Sequence, residues 1–120
     1  MRIEQLPKEE YTARIRRIQS ELKKAGIDVL VSYSSECESS SSRYLAGFWP
    51  FFDFASVIVP VKGEAVLVTG GPESLEFARS FSSAEKLRIN PLLVVSRMDM
   101  LRAAYPVEPV QIHQQDDKRQ

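Results

Sequence analysis

Histidine and cysteine are almost missing from this chain: 120 residues hold one of each, His113 and Cys37. A single thiol cannot close an internal disulfide. Charge of either sign is not in excess, since 16 Lys and Arg balance 16 Asp and Glu. That excludes a nucleic-acid binder working through a basic surface. No apolar run approaches the roughly 20 residues needed to cross a bilayer. The first ten residues, Met-Arg-Ile-Glu-Gln-Leu-Pro-Lys-Glu-Glu, lack the apolar core of a secretory signal. Cytoplasmic residence is the expectation that follows.

What is present is 43% hydrophobic residues, ordinary for a globular protein, in a length that suits one domain. Tyr11, Ile15, Ile18, Leu22 and Ala25 recur at three- and four-residue steps, which predicts an amphipathic helix over residues 8 to 25. Its basic residues read as a solvated face. Pro7 suits its first turn and Gly26 its C-terminal cap. Ile27 to Tyr33 reads as a buried strand, with Val29, Leu30 and Val31 in one apolar run. Ser34 to Ser42 is Ser-rich and polar and reads as a surface loop. Tyr44 to Phe48 reads as one helical turn or an irregular segment. Ala55 to Val61 and Ala65 to Thr69 read as a hairpin turned at Lys62-Gly63. Pro60 cannot donate to a ladder, which places it at a strand end or an edge.

Gly70-Gly71-Pro72 breaks the second hairpin strand. Glu73 to Ser82 then reads as a helix with Leu75, Ala78 and Phe77 or Phe81 facing inward. A strand at Leu92–Val95, a short helix at Arg97–Ala104 and a last strand at Val110–His113 are expected before a polar tail. Alternating helices and strands with a local hairpin predict an α/β layer with a mixed sheet.

Chemistry-bearing residues are sparse. A divalent metal pair needs several carboxylates, usually with imidazole, converging on one site. Asp28, Asp53, Asp99, Asp116 and Asp117 form no recognisable ligand pattern, and His113 adjoins the tail. Cys37 lies between Glu36 and Glu38, whose negative charge suppresses the thiolate a nucleophile needs. Ser74 has no Gly-x-Ser-x-Gly context and reads as part of a helix start, accepting a backbone hydrogen bond. Gly70-Gly71 lies between strand and helix, but neither the dinucleotide fingerprint nor a phosphate loop is present, and Glu73 sets a negative charge where phosphate would sit. A small enzyme built on Ser, Cys37 or His113 is therefore disfavoured.

The segment Phe48-Trp49-Pro50-Phe51-Phe52-Asp53-Phe54 carries five aromatic side chains. A core strand does not need that many. The expectation is that two or three are buried and two point outward as contact anchors.

In order, the helix, the Ile-Asp-Val-Leu-Val strand, Arg43-Tyr44-Leu45-Ala46-Gly47-Phe48, the hairpin and Thr69-Gly70-Gly71-Pro72-Glu73-Ser74 resemble one family. It is the amino-terminal domain of the creatinase/prolidase/Xaa-Pro aminopeptidase metallopeptidases. The resemblance runs over roughly residues 9 to 112. It implies a single α/β domain over residues 1–113, a mixed sheet flanked by helices often likened to ribonuclease H, and a polar tail at 114–120. It implies that the catalytic domain follows and lies outside this chain, with Mn, Co or Zn held there. It follows that this chain carries no catalytic residue, metal site or cofactor of its own. Implied partners are the C-terminal catalytic domain and a second copy in a homodimer. By position, Arg43, Trp49, Phe51, Phe52 and Phe54 are the substrate or interface candidates. Creatinase-like members use an arginine near Ala55 and Ser56, so the resemblance favours proline peptides over creatine. The implied function is a non-catalytic domain that supports dimerisation and shapes a neighbouring active site. The alternative is a stand-alone binding or assembly module.

Overall fold

Helix α1 forms where the apolar spacing puts it, at Lys8–Ala25. Pro7 stands just outside, at the N-cap, and Glu9 and Glu10 occupy the first turn while Lys23 and Lys24 occupy the last. That order of charge complements the helix dipole. Gly26 ends the helix at φ 70°, and the next amide, that of Ile27, donates to Leu22 O at 2.9 Å. A left-handed cap of this kind needs glycine. Leu22 is buried, with Ile15 and Ile18 packed beside it, whereas Ala25 at the end of the stripe is exposed. The computed structural model describes residues 6–51 and 53–94. The helix expected at Arg97–Ala104, the strand at Val110–His113 and the polar tail lie outside the described residues.

Strand β1 is Val29–Val31, β2 is Ala55–Pro60, β3 is Val66–Thr69 and β4 is Lys86–Ile89. They form one sheet in the order β1-β2-β3-β4. β1 with β2 and β2 with β3 are antiparallel, and β3 with β4 is parallel. Helix α2, Ser40–Ala46, precedes β2, and helix α3, Pro72–Phe81, makes the crossover from β3 to β4. The expected mixed-sheet α/β architecture is observed.

Side chains alternate across a strand, and the sheet shows it. Ala55, Val57, Val59, Leu67 and Thr69 are buried on the inner face. All three helices contribute to that core, through Leu22 of α1, Leu45 and Ala46 of α2 and Ala78 of α3, with Phe48 beside them. The outer face carries Val29 and Val31 of β1, Ile58 of β2 and Val66 and Val68 of β3. No helix among the described residues covers it.

Three local expectations need correction. The apolar run at β1 is not buried: Val29 is 45% and Val31 63% exposed, with only Leu30 turned inward. A continuous apolar run implies burial on both faces only if both faces are covered. The Ser-rich segment is not all loop, because α2 begins at Ser40 and ends at Ala46. Ser42 is fully buried, its amide donating to Ser34 Oγ at 3.1 Å, so a polar run is absorbed by its own hydrogen bonds. Strand β4 falls on Lys86–Ile89, whose charged alternation concealed it, and not on Leu92–Val95. In its place Pro91–Leu93 forms a 3-10 turn, with Asn90 Oδ1 accepting from Leu92 N at 3.1 Å.

Candidate functional site

The aromatic segment leaves α2 through Gly47, whose φ is 62° and whose amide donates to Arg43 O at 3.0 Å. A β-carbon at Gly47 would lie 2.7 Å from Tyr11 Oη, so α1 and the start of the segment meet here backbone to ring. From this point the rings diverge. Phe48 is buried and Phe54 half-buried, while Trp49 is 47% and Phe51 53% exposed. Phe52 lies outside the described residues.

The exposed rings form a connected rim. Trp49 and Phe51 have centroids 6.4 Å apart, Phe51 and Phe77 6.1 Å, and Phe77 and Phe81 4.7 Å. Phe48 packs edge-on to Phe77 at 5.9 Å, so the rim is rooted in the core. Phe77 and Phe81 come from α3, and Phe81 is half exposed. Sequence reasoning had placed these two only as alternatives for an inward face. Four residues apart on a helix, they stack on its surface.

Trp49 is held from two sides. Its indole Nε1 donates to Glu36 O at 3.2 Å, and the Arg43 guanidinium lies 5.0 Å from its ring centroid. Cation–π contact of this kind helps fix the ring. Arg43, Trp49 and Phe51 are thus brought together. Phe54 is not: it stacks on Tyr33 at 5.2 Å, away from the rim. Burial pushes the Tyr33 phenol above its ordinary range.

Asp53 anchors the end of the segment. Its Oδ2 accepts a hydrogen bond from Ser74 Oγ at 2.7 Å, in the first turn of α3. Ser74 is therefore a donor to another element and not the backbone cap read from the sequence, and α3 has no side-chain cap bond. Gly70 permits the approach, since a β-carbon there would meet Asp53 Oδ2 at 2.9 Å and the Leu93 main chain at 3.0 Å. The glycine pair serves close packing at this turn.

A second arrangement was not foreseen. Arg14, read as a solvated basic residue, lies over the rings of Tyr44 at 4.5 Å and Tyr11 at 5.2 Å. It donates to Tyr44 O at 3.0 Å and to Glu10 at 3.2 Å. Tyr11 and Glu10 are neighbours on the same helix, but Tyr44 sits 30 residues away, and nothing within α1 signals that contact. Beyond it, a cleft of about 330 Å³ opens between α1 and the hairpin, floored by Ile15, Leu45, Val57 and Leu67. Lys8 and Glu85 both line it and form an ion pair, and the lysine holds the Glu85 carboxyl below its usual range.

Among the described residues no group of three His, Cys, Asp or Glu side chains converges to hold a metal. Cys37 is exposed, and His113 lies outside the described residues. The rim supplies apolar area and one guanidinium, which suits contact with a surface or a peptide.

The same arrangement of helices and strands occurs in dipeptidase PepE from Mycobacterium ulcerans, with a TM-score of 0.56 over 73% of this chain at 19% identity. It also occurs in an Xaa-Pro aminopeptidase from Streptococcus pyogenes, with a TM-score of 0.55 over 82% of this chain and 69% of that one, again at 19% identity. The fold is that of the creatinase/prolidase amino-terminal domain. At this identity the likeness is one of fold. The chain spans about a quarter of the dipeptidase, 24%, so the creatinase-type domain is there one part of a longer polypeptide. No sequence profile of a known family and no curated protein matches this chain.

Proposed function

We propose that this chain is the non-catalytic amino-terminal domain of a creatinase/Xaa-Pro dipeptidase-like hydrolase. Its aromatic rim contacts a second copy and borders the active site of a catalytic domain. The carrying observation is the rim itself. Trp49 and Phe51 are about half exposed, yet Trp49 is fixed by Arg43 and Glu36 and the rim is rooted through Phe77 on Phe48. Aromatic area held rigid before contact costs little entropy on binding, which is the character of an interface anchor. The shared fold with two peptidases supports the choice of hydrolase. The parent reaction is metal-dependent cleavage at proline, with Mn, Co or Zn held by the catalytic domain and no ligand from this one.

Two measurements test the reading. Sedimentation of the purified chain at micromolar concentration should show dimers, and Trp49→Ala should weaken them by about tenfold or more, the scale of an aromatic hot spot. Strict monomers at high concentration would sink the dimer contact. Incubation with proline-containing dipeptides and manganese or cobalt should release no product. Turnover at ordinary enzymatic rates would show that the chain is itself the enzyme.

A further inference from the structure

Strand β1 has β2 as its only neighbour among the described residues, so its other side is a sheet edge. In an antiparallel ladder alternate residues bond to the neighbouring strand. The residues between them direct both backbone groups away from it. The bonds to β2 fall on even positions. Val61 N donates to Asp28 O at 2.8 Å, Ser32 N to Val57 O at 3.0 Å and Ser34 N to Ala55 O at 2.8 Å. Leu30, opposite Val59, belongs to the same set. Val29, Val31 and Tyr33 therefore turn their amides and carbonyls to the free edge, and their side chains are exposed.

Edges in natural sheets are ordinarily guarded by a charge, a proline or a bulge. These positions carry no such guard. Valine and tyrosine are instead residue types that suit a paired strand. Strand β4, at the other end of the described sheet, carries Lys86 and Arg88. The contrast marks β1 as the side open to a further strand.

The sequence about Val31 favours one occupant, a second copy of the same strand. A two-fold axis at Val31 sets β1 antiparallel to its copy. Val31 then faces Val31, Val29 faces Tyr33 and Leu30 faces Ser32. Facing residues at the odd positions exchange both N–H···O bonds, which satisfies the outward groups of both strands. The Val29–Tyr33 pairing joins a β-branched to an aromatic side chain, a favourable cross-strand contact. Asp28, the one charge between Ile27 and Ser35, falls opposite Ser34, so no like charges meet. A two-fold contact needs a surface complementary to itself, and this strand supplies one.

We infer that β1 pairs with β1 of a second copy, antiparallel and centred on Val31, joining the two sheets into one continuous sheet. This contact shares no residue with the aromatic rim. It goes beyond the function proposed above and does not rest on it.

Amide hydrogen exchange of the purified full chain tests the pairing, in a Trp49→Ala background that removes the rim anchor. At micromolar concentration the amides of Val29, Val31 and Tyr33 should exchange quickly. At millimolar concentration, where sedimentation should show dimers, they should slow by about tenfold or more. Val31→Pro removes an amide that makes no bond to β2, so the fold should survive, as a thermal melt would verify. That variant should stay monomeric and lose the protection at Val29 and Tyr33. Val31→Lys keeps the amide but brings two ammonium groups face to face, and it should act in the same direction. Rapid exchange at every concentration in a folded chain would overturn the inference. Protection that does not change with concentration would overturn it too, since the edge would then be covered within one chain. So would dimers that persist in both Val31 variants. Because the background lacks the Trp49 ring, none of these failures bears on the rim, and a failure of the rim leaves this pairing intact.

Discussion

Asp53 and Ser74 are the pair that ties the aromatic segment to α3, through one hydrogen bond of 2.7 Å from hydroxyl to carboxylate. Replacing Asp53 with Ala should cost about 1.5–3 kcal/mol, the range for a bond to a charged group. Denaturant titration measures it, and Ser74→Ala should add little to the Asp53 variant if the two act as a unit. Gly26 and Gly47 both sit at positive φ, but only Gly47 faces a neighbour, Tyr11 Oη, at 2.7 Å from a β-carbon. Gly26→Ala should cost about 1 kcal/mol for the left-handed backbone alone. Gly47→Ala should cost clearly more, and equal losses would count against the close approach. Two exposed carboxyls contribute to the loss of stability in acid. Ser40, through its hydroxyl and amide, holds Glu38 below its ordinary range, and Lys8 does the same for Glu85. A depressed carboxyl contributes stability above its unfolded value, about 4.3, and loses it as pH falls through the folded value. The denaturation midpoint should therefore drop below about pH 4.5. Glu38→Gln should make that drop shallower, by a small amount because the site is exposed.

At the scale of elements, the sheet and helices share one core whose largest wholly buried side chain among the described residues is Phe48. Phe48→Ala should cost about 3–5 kcal/mol, a large part of the total stability of a small domain. Trp49→Ala, one residue on, should leave the melting temperature nearly unchanged, since its ring is half exposed. The contrast separates the two uses of adjacent aromatics, and a Trp49 variant as unstable as the Phe48 one would remove the rim as a contact surface. Elements with strong periodicity were legible: α1, the hairpin strands and α3 stand close to their expected bounds. Strand β4 was not. Lys86 and Arg88 alternate with Leu87 and Ile89, and only pairing to β3 gives that four-residue stretch a reason to extend. Helix α2 was missed in part because serines are poor helix formers in isolation, and their burial against Ser34 depends on a fold already formed.

Taken as a whole, the molecule is an asymmetric layer. Three helices pack on the inner face, an apolar outer face is bare among the described residues, and an aromatic rim runs from Trp49 to Phe81 along one side. The asymmetry separates two roles that the sequence alone blends, because Val31 and Trp49 both read simply as apolar. The rim candidates Arg43, Trp49 and Phe51 converge, while Phe54 turns to Tyr33 and joins the outer face. Phe77 and Phe81, absent from the sequence-derived candidates, complete the rim from α3. No spacing rule links them to Phe51, more than two dozen residues earlier; contact across the fold does.

The positions of α1, the hairpin strands and α3, and the turns between them, followed from local chemistry: apolar period, glycine, proline and charge. Those signals act over a few residues and survive without a partner. Which face each apolar residue meets, which arginine stacks on a ring and which aromatic is left in water depend on elements distant in the chain, so only the packed sheet and its helices could decide them.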